Sequence, residues 1–413
     1  MKRLDKAPAP RQRLVRDHVT LSLYAAQGVL GFWLNGLGAI LGPIRRELEV
    51  GRAEVAFYPS LFAAALIVVG VAGGGLVERL GHRVGMLLSL GGMALGAVLL
   101  TAPERTVTLF GAVLLGTGSA VSIQVVPAAL TRRHPGTSAA AIGEANAVSS
   151  AASLLAPAAV AAAIAIGIGW RTGYLLPALP VAIGLIALYV LHRQLRGWLS
   201  SDRVAGTDPD EPELPHGPGY EPGPLLTRWV DLVLAVSVEF CLVFWAADAF
   251  EDWHDAGSAT APALAALFLA GMAVVRFGAA RLTGGRHPSS VVLGACAVAL
   301  VGFALFWATP WLATSALGLL VAGAGVALLY PVSVARLVAA WPDRQDLAAA
   351  RGALASGMAI GIAPLVLARL ADEAGLRTAY LVVPALLLLL VTKAARTLSR
   401  AQGASRADRV EAQ

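Results

Sequence analysis

The stretch DLVLAVSVEFCLVFWAAD, from Asp231 to Asp248, is uncharged apart from its two ends and one residue near its middle, Glu239. Placing an ionised carboxylate at the centre of a bilayer costs roughly 2.5–3.5 kcal/mol even on the lenient insertion scale. Glu239 lies too deep in its run to snorkel to an interface, so it is expected to face an interior cavity. There it has two possible roles. It can load a proton or bind a solute as the cavity opens to each side in turn, or it can tie helices together through an arginine or a backbone group. Arg276, in the next apolar run, is the candidate counter-charge. Asp231 and Asp248 are assigned to the two ends of the helix. At 100° per residue Asp248 falls on the face opposite Glu239, as an outer-mouth residue.

Uncharged polar groups at membrane depth extend the candidate cavity: Gln27 and Asn35 in the first apolar run and Gln124 in the fourth. Each can serve a solute or an ordinary interhelical hydrogen bond. The aromatic residues Phe240, Phe244, Trp245 and Tyr330 are placed to line an apolar cavity or to pack between helices. His82, His134, His192 and His287 are expected at the inner face, solvated.

Other chemistries find little support. EDWHDAG (Glu251–Gly257) gathers two acids, a histidine and a third acid; a membrane enzyme would need such a set, and a solvated acidic cap is the expected reading. No G-x-x-x-x-G-K-[ST] loop occurs, which leaves ATP-driven pumping by this chain unsupported. Cys241 and Cys296 both lie in apolar runs, so neither a disulfide framework nor a metal site is expected. No cofactor is implied.

The elements that position these residues follow from composition. The 413 residues are 57% hydrophobic and only 14% charged, against about 25% charged in soluble proteins. Apolar windows long enough to span a bilayer predict twelve transmembrane helices, an all-α polytopic membrane protein. The predicted division is a cytoplasmic tail (1–18), a first six-helix bundle (19–197), a linker (198–227), a second bundle (228–397) and a second tail (398–413). The linker is rich in Pro, Gly and acidic residues. Lysine and arginine concentrate at the termini and in alternate loops, which places both termini in the cytoplasm by the positive-inside rule. The net charge of +6 therefore reports topology and implies no nucleic-acid partner. Arg45, Arg46 and Arg52 run against the rule, offset locally by Glu47, Glu49 and Glu54.

The two bundles look related. GWRTGYLLPALP begins at Gly169 and GLRTAYLVVPAL at Gly375. The pairs Gly116/Gly323 and Pro157/Pro364 repeat that spacing to within one residue. Duplicated halves with a central site between them are a common transporter plan, and alternating access then needs only a rocking of one half on the other.

Between the second and third windows lies GGLVERLGHRVG, with Gly74, Leu76, Glu78, Arg79, Gly81 and Arg83 in sequence. It resembles the signature of the major facilitator superfamily, G-x-L-x-D-R-x-G-x-R, with Glu for Asp. The resemblance covers essentially the whole chain, including the G-W-R-x-x-Y before the sixth window. It implies that family's fold of two six-helix bundles and a cytoplasmic gate. Glu78 would contact the region around Arg351, and Glu144 would make a mirrored contact to Arg276 or Arg281. Two departures stand out. Ala112 replaces the arginine that many proton-coupled members carry before the fourth-window G-x-G, and the antiporter pattern of the fifth is reduced to Ala156-Pro157. The expectation is a monomeric, proton-coupled secondary active transporter of a small organic solute in the cell (inner) membrane. Efflux of a moderately apolar compound is favoured, because the cavity candidates offer few hydrogen-bonding side chains. The alternatives are an uptake symporter or uniporter of the same fold and, remotely, a polytopic membrane enzyme.

Overall fold

In the computed structural model the described residues are 14–72, 74–134, 137–191, 225–283, 286–340 and 345–411. Most of the predicted linker lies outside them. The described residues hold helices and no strand. Twelve spans are long and apolar enough to cross a membrane, and we number them in chain order. Spans 1 to 6 are His18–Glu47, Arg52–Val69, Gly81–Leu99, Arg105–Arg133, Ala140–Ala165 and Trp170–Leu191. Spans 7 to 12 are Leu225–His254, Thr260–Phe277, Pro288–Ala308, Leu312–Ala339, Arg351–Ala374 and Leu376–Arg400. Helices are required because lipid offers no partner for a backbone amide, so each span satisfies its own. We call the face bearing the start of span 1 the terminal side and the opposite face the distal side.

Helix pairing repeats between the halves. Span 1 packs on 5, 2 on 4 and 3 on 4; in the second half 7 packs on 11, 8 on 10 and 9 on 10. Across the halves span 2 packs on 11, span 5 on 8, and spans 1 and 7 meet. Exchanging each span for its repeat partner turns the 2–11 contact into the 8–5 contact, so the interface itself is pseudo-twofold.

The sequence landmarks of the repeat have matching structural duties. A Cβ on Gly116 would run into the carbonyl of Phe62, and one on Gly323 into the carbonyl of Phe268. Spans 4 and 10 therefore approach spans 2 and 8 at backbone distance, which only glycine permits. Gly169 and Gly375 adopt nearly the same left-handed conformation, φ 82° and 80°, at the turns entering spans 6 and 12. Pro157 and Pro364 both sit inside their helices.

Candidate functional site

Glu239 is at the middle of span 7 and Arg276 near the terminal end of span 8, whose long side chain brings Nη2 to 3.6 Å from Glu239 Oε1. The carboxylate is 13% exposed and the guanidinium 33%. Both border a cavity of about 40 Å³ between the halves, faced from the first half by Asn35, Ser150 and Ser153. That volume holds a few waters, since one needs roughly 10–15 Å³, and is far below the roughly 300 Å³ of a small-molecule pocket. The pocket is narrowed in this conformation.

Asn35 is fixed within span 1 and against span 5. Its Nδ2 donates to Ser153 Oγ at 2.9 Å and to the Gly31 carbonyl at 3.3 Å. Ser153 Oγ in turn donates to the carbonyls of Gly31 and Ser149. An apolar pocket adjoins this polar one and shares Asn35 and Leu269 with it; Gly38, Val243, Ala247 and Phe268 are among its walls. Tyr330 is 40% exposed, yet it lies within electrostatic reach of Glu239 and Arg276 and hydrogen-bonding reach of Ser356.

The remaining cavity candidates are more buried. Gln124 donates to the Val69 carbonyl at 3.1 Å, tying span 4 to span 2. Phe244 packs against Gly38, and Trp245 donates to the Pro364 carbonyl at 3.1 Å, joining spans 7 and 11. Phe240 stacks on Phe244 with centroids 5.3 Å apart. These rings serve packing here. Gln27 is 8% exposed, and its Oε1 has no protein partner.

On the terminal side Glu144 takes a partner different from the expected one. It binds Arg16 through two hydrogen bonds, at 2.8 and 2.5 Å, and accepts from Tyr24. Arg276 is engaged with Glu239, and Arg281 is exposed. Glu144 sits next to the first residues of span 1 within its own half, so the short path is to Arg16. The side chains of Gly74, Glu78 and Arg79 lie outside the described residues. Gly81 takes φ 77° and ψ 159°, breaking the helix there, and Arg83 donates to the Tyr189 carbonyl. Arg351 is exposed, and its carbonyl accepts from Trp229. His134 is buried, not solvated: its ring meets Thr20 Oγ1 at 2.8 Å. His192 lies outside the described residues.

The distal side holds what the sequence did not reveal. Asp248, buried, receives Arg45 at 3.0 Å and Arg52 at 2.8 Å from the first half. Arg46 reaches Glu251 and Arg52 also reaches Asp252. Asp372, at the end of span 11, accepts from the backbone amides of Arg52 and Ala53, so an aspartate of one half caps a helix of the other. The basic cluster that runs against the positive-inside rule is thus neutralised largely from across the halves. Glu47 and Glu54 pair elsewhere, with Arg171 and Arg105. The stretch expected to be a solvated acidic cap supplies two of these partners.

Two related six-span halves, joined by ion pairs on one face and enclosing a charged pocket at mid-depth, define a membrane-embedded transporter of small substrates. The family model for the major facilitator superfamily matches residues 23–250, more than half of the chain. The chain belongs to that superfamily, and the fold is its twelve-helix fold.

Solved structures agree at the level of fold. A bacterial homologue of the human lysosomal transporter Spinster, inward-facing and unoccupied, matches with a TM-score of 0.67 at 15% identity, over 93% of this chain and 98% of that one. Its inward-facing occupied form matches at 0.65 and 13%, over 94% and 98%. The human organic anion transporter MFSD10 (TETRAN) matches at 0.61 and 17%, over 91% and 98%. No curated protein sequence matches the chain.

Proposed function

We propose that the chain is a proton-coupled secondary active transporter of a small organic solute, working by alternating access with both termini in the cytoplasm. The observation that carries this reading is the Glu239–Arg276 pair, set at mid-depth on the boundary between the halves. An ion pair there is costly unless it is used or fully satisfied, and at 3.6 Å it is longer than the 2.7–2.9 Å of a tight charge-assisted bond. The sealed distal side supports a conformation that serves the cytoplasm, in keeping with the inward-facing structures the chain resembles.

The apolar walls beside the polar pocket, around about 10 Å³ of space, match in character the moderately apolar solute that the sequence favours for export. The polar pocket supports a second reading. Ser150 and Ser153 add to Asn35 hydrogen-bonding groups that are not conspicuous along the chain, and this favours co-transport of the solute with a proton.

The test uses reconstituted protein and a solute found by thermal-shift screening of metabolites and drugs. Glu239→Gln should abolish accumulation against a gradient while sparing solute exchange. Uphill transport equal to that of the unmodified protein would remove Glu239 from coupling.

A further inference from the structure

The geometry points to the solute's chemical class: an organic anion with a compact apolar body, bound together with the proton and carried with it in the same direction. This rests on the coupling role proposed above for Glu239.

Arg276 holds unused hydrogen-bonding capacity. A guanidinium has five N–H donors in a fixed fork. Here Nη2 stands 3.6 Å from Glu239, and Nε reaches the Ala327 carbonyl only at 3.5 Å. Neither contact has the length of a strong hydrogen bond, and a third of the side chain is open. The fork is therefore presented to the cavity, and planar, bidentate capture of a carboxylate is what a guanidinium does best.

Charge balance then dictates stoichiometry. With the pocket empty, Glu239 and Arg276 neutralise each other. An anion arriving alone on Arg276 would leave one uncompensated negative charge at mid-depth. A proton arriving alone on Glu239 would leave one uncompensated positive charge. Either is expensive in a low-dielectric site. When both arrive, the proton sits on the Glu239 carboxyl, the anion pairs with Arg276, and the pocket is neutral again. Only the empty and the doubly loaded pockets are neutral, so those are the two states in which the halves can rock cheaply. That is the logic of symport, and it selects the co-transport reading over export.

The neighbouring walls describe the rest of the solute. The polar pocket shares Asn35 and Leu269 with the apolar one, whose space of about 10 Å³ must widen as the halves part to admit a solute. A head on Arg276 directs an apolar body toward Val243, Ala247 and Phe268. Asn35, whose two N–H groups are held by Gly31 and Ser153, offers its Oδ1 at the junction to a hydroxyl close to the head.

The experiment uses the full chain in nanodiscs, with hexanoate and benzoate as anionic probes, hexanol and benzyl alcohol as neutral matches, and benzylamine as the cationic one. Binding is read by tryptophan fluorescence, and proton uptake by a pH dye in weakly buffered solution. The unmodified protein should prefer each carboxylate to its alcohol and take up roughly one proton per bound anion, as linkage requires. Arg276→Gln should weaken the carboxylates about tenfold or more, the size of one lost charge-assisted bond, and leave the alcohols unchanged. Arg276→Lys should restore part of the loss, which separates lost charge from misfolding. Glu239→Gln should bind benzoate at least as well as the unmodified protein and take up no proton. A panel in which no carboxylate outbinds its alcohol, or carboxylate binding indifferent to Arg276→Gln, overturns the anion assignment. Neither result touches the coupling role of Glu239, which the uphill-transport assay decides separately.

Discussion

Asp248 and Asp231 occupy the two ends of span 7 and are almost equally buried, with side chains 4% and 5% exposed. Their partners differ. Asp248 is held by Arg45 and Arg52, both from the other half. Asp231 is approached by Arg228, Arg336 and Lys393, all of its own half, with Lys393 Nζ at 3.1 Å from its carboxylate. Under the alternating access proposed above, the first cluster comes apart as the halves rock. The second moves as a block, joining spans 7, 10 and 12. The partners of Asp248 are 18–23% exposed, so water can take over when the pairs separate. Arg228 and Arg336 are 2% and 6% exposed, while Lys393 is 26% exposed. The contacts between the halves lie at a wettable rim, whereas the cluster within the second half is centred on two arginines that are almost fully enclosed.

The comparison can be broken by removing each aspartate. Asp231→Asn should cost about 3–5 kcal/mol of stability, because it takes a close counter-charge from two buried arginines. A melting curve of the purified protein would show a large fall in Tm. A small fall would mean that the cluster is not a structural tie.

Asp248→Asn should do something different. Glu251 and Asp252 keep their arginines, so the fold should persist while the distal seal weakens by about 1–2 kcal/mol, a five- to thirtyfold shift in the open-to-closed ratio. Spin labels at Glu104 and Trp311, exposed on the distal side of the two halves, would report a larger population at long distance. A large loss of Tm with unchanged distances would erase the distinction between the two regions.

The smallest effect sharpens the terminal side of the first half. Burial opposes ionisation of Asp17, but hydrogen bonds from Arg133 and Thr20 hold its carboxyl well below the usual range. Because the folded value is depressed, its contribution is complete above the unfolded value near 4 and is lost only as pH falls toward the folded one. Asp17→Asn should therefore flatten the acid limb of the melting temperature below about pH 4 and leave neutral stability nearly pH-independent. An unchanged acid limb would remove Asp17 from it.

Much of the architecture is legible in the chain. Apolar length predicts twelve spans, and the repeated glycines and prolines predict two halves, because a bilayer tolerates few solutions and close helix approach demands glycine. Glu239 also stands out unaided, since a carboxylate in an apolar run has no cheap explanation. Ser150 and Ser153 do not: serines in a run of alanines carry no signal until span 5 is seen facing Glu239. Asp372 is likewise silent, because its partners are backbone amides far away in sequence.

The sequence by itself determined the spans, the duplication and the acid set inside an apolar run, since these depend on local hydropathy and local packing. Only the tertiary structure decided pairing. It gave Glu144 to Arg16, Asp248 to two arginines of the other half and Asp231 to cations of its own, and it brought Arg276 back to Glu239. A charge's partner is fixed by which helices meet and at what depth, and that distance is not written along the chain.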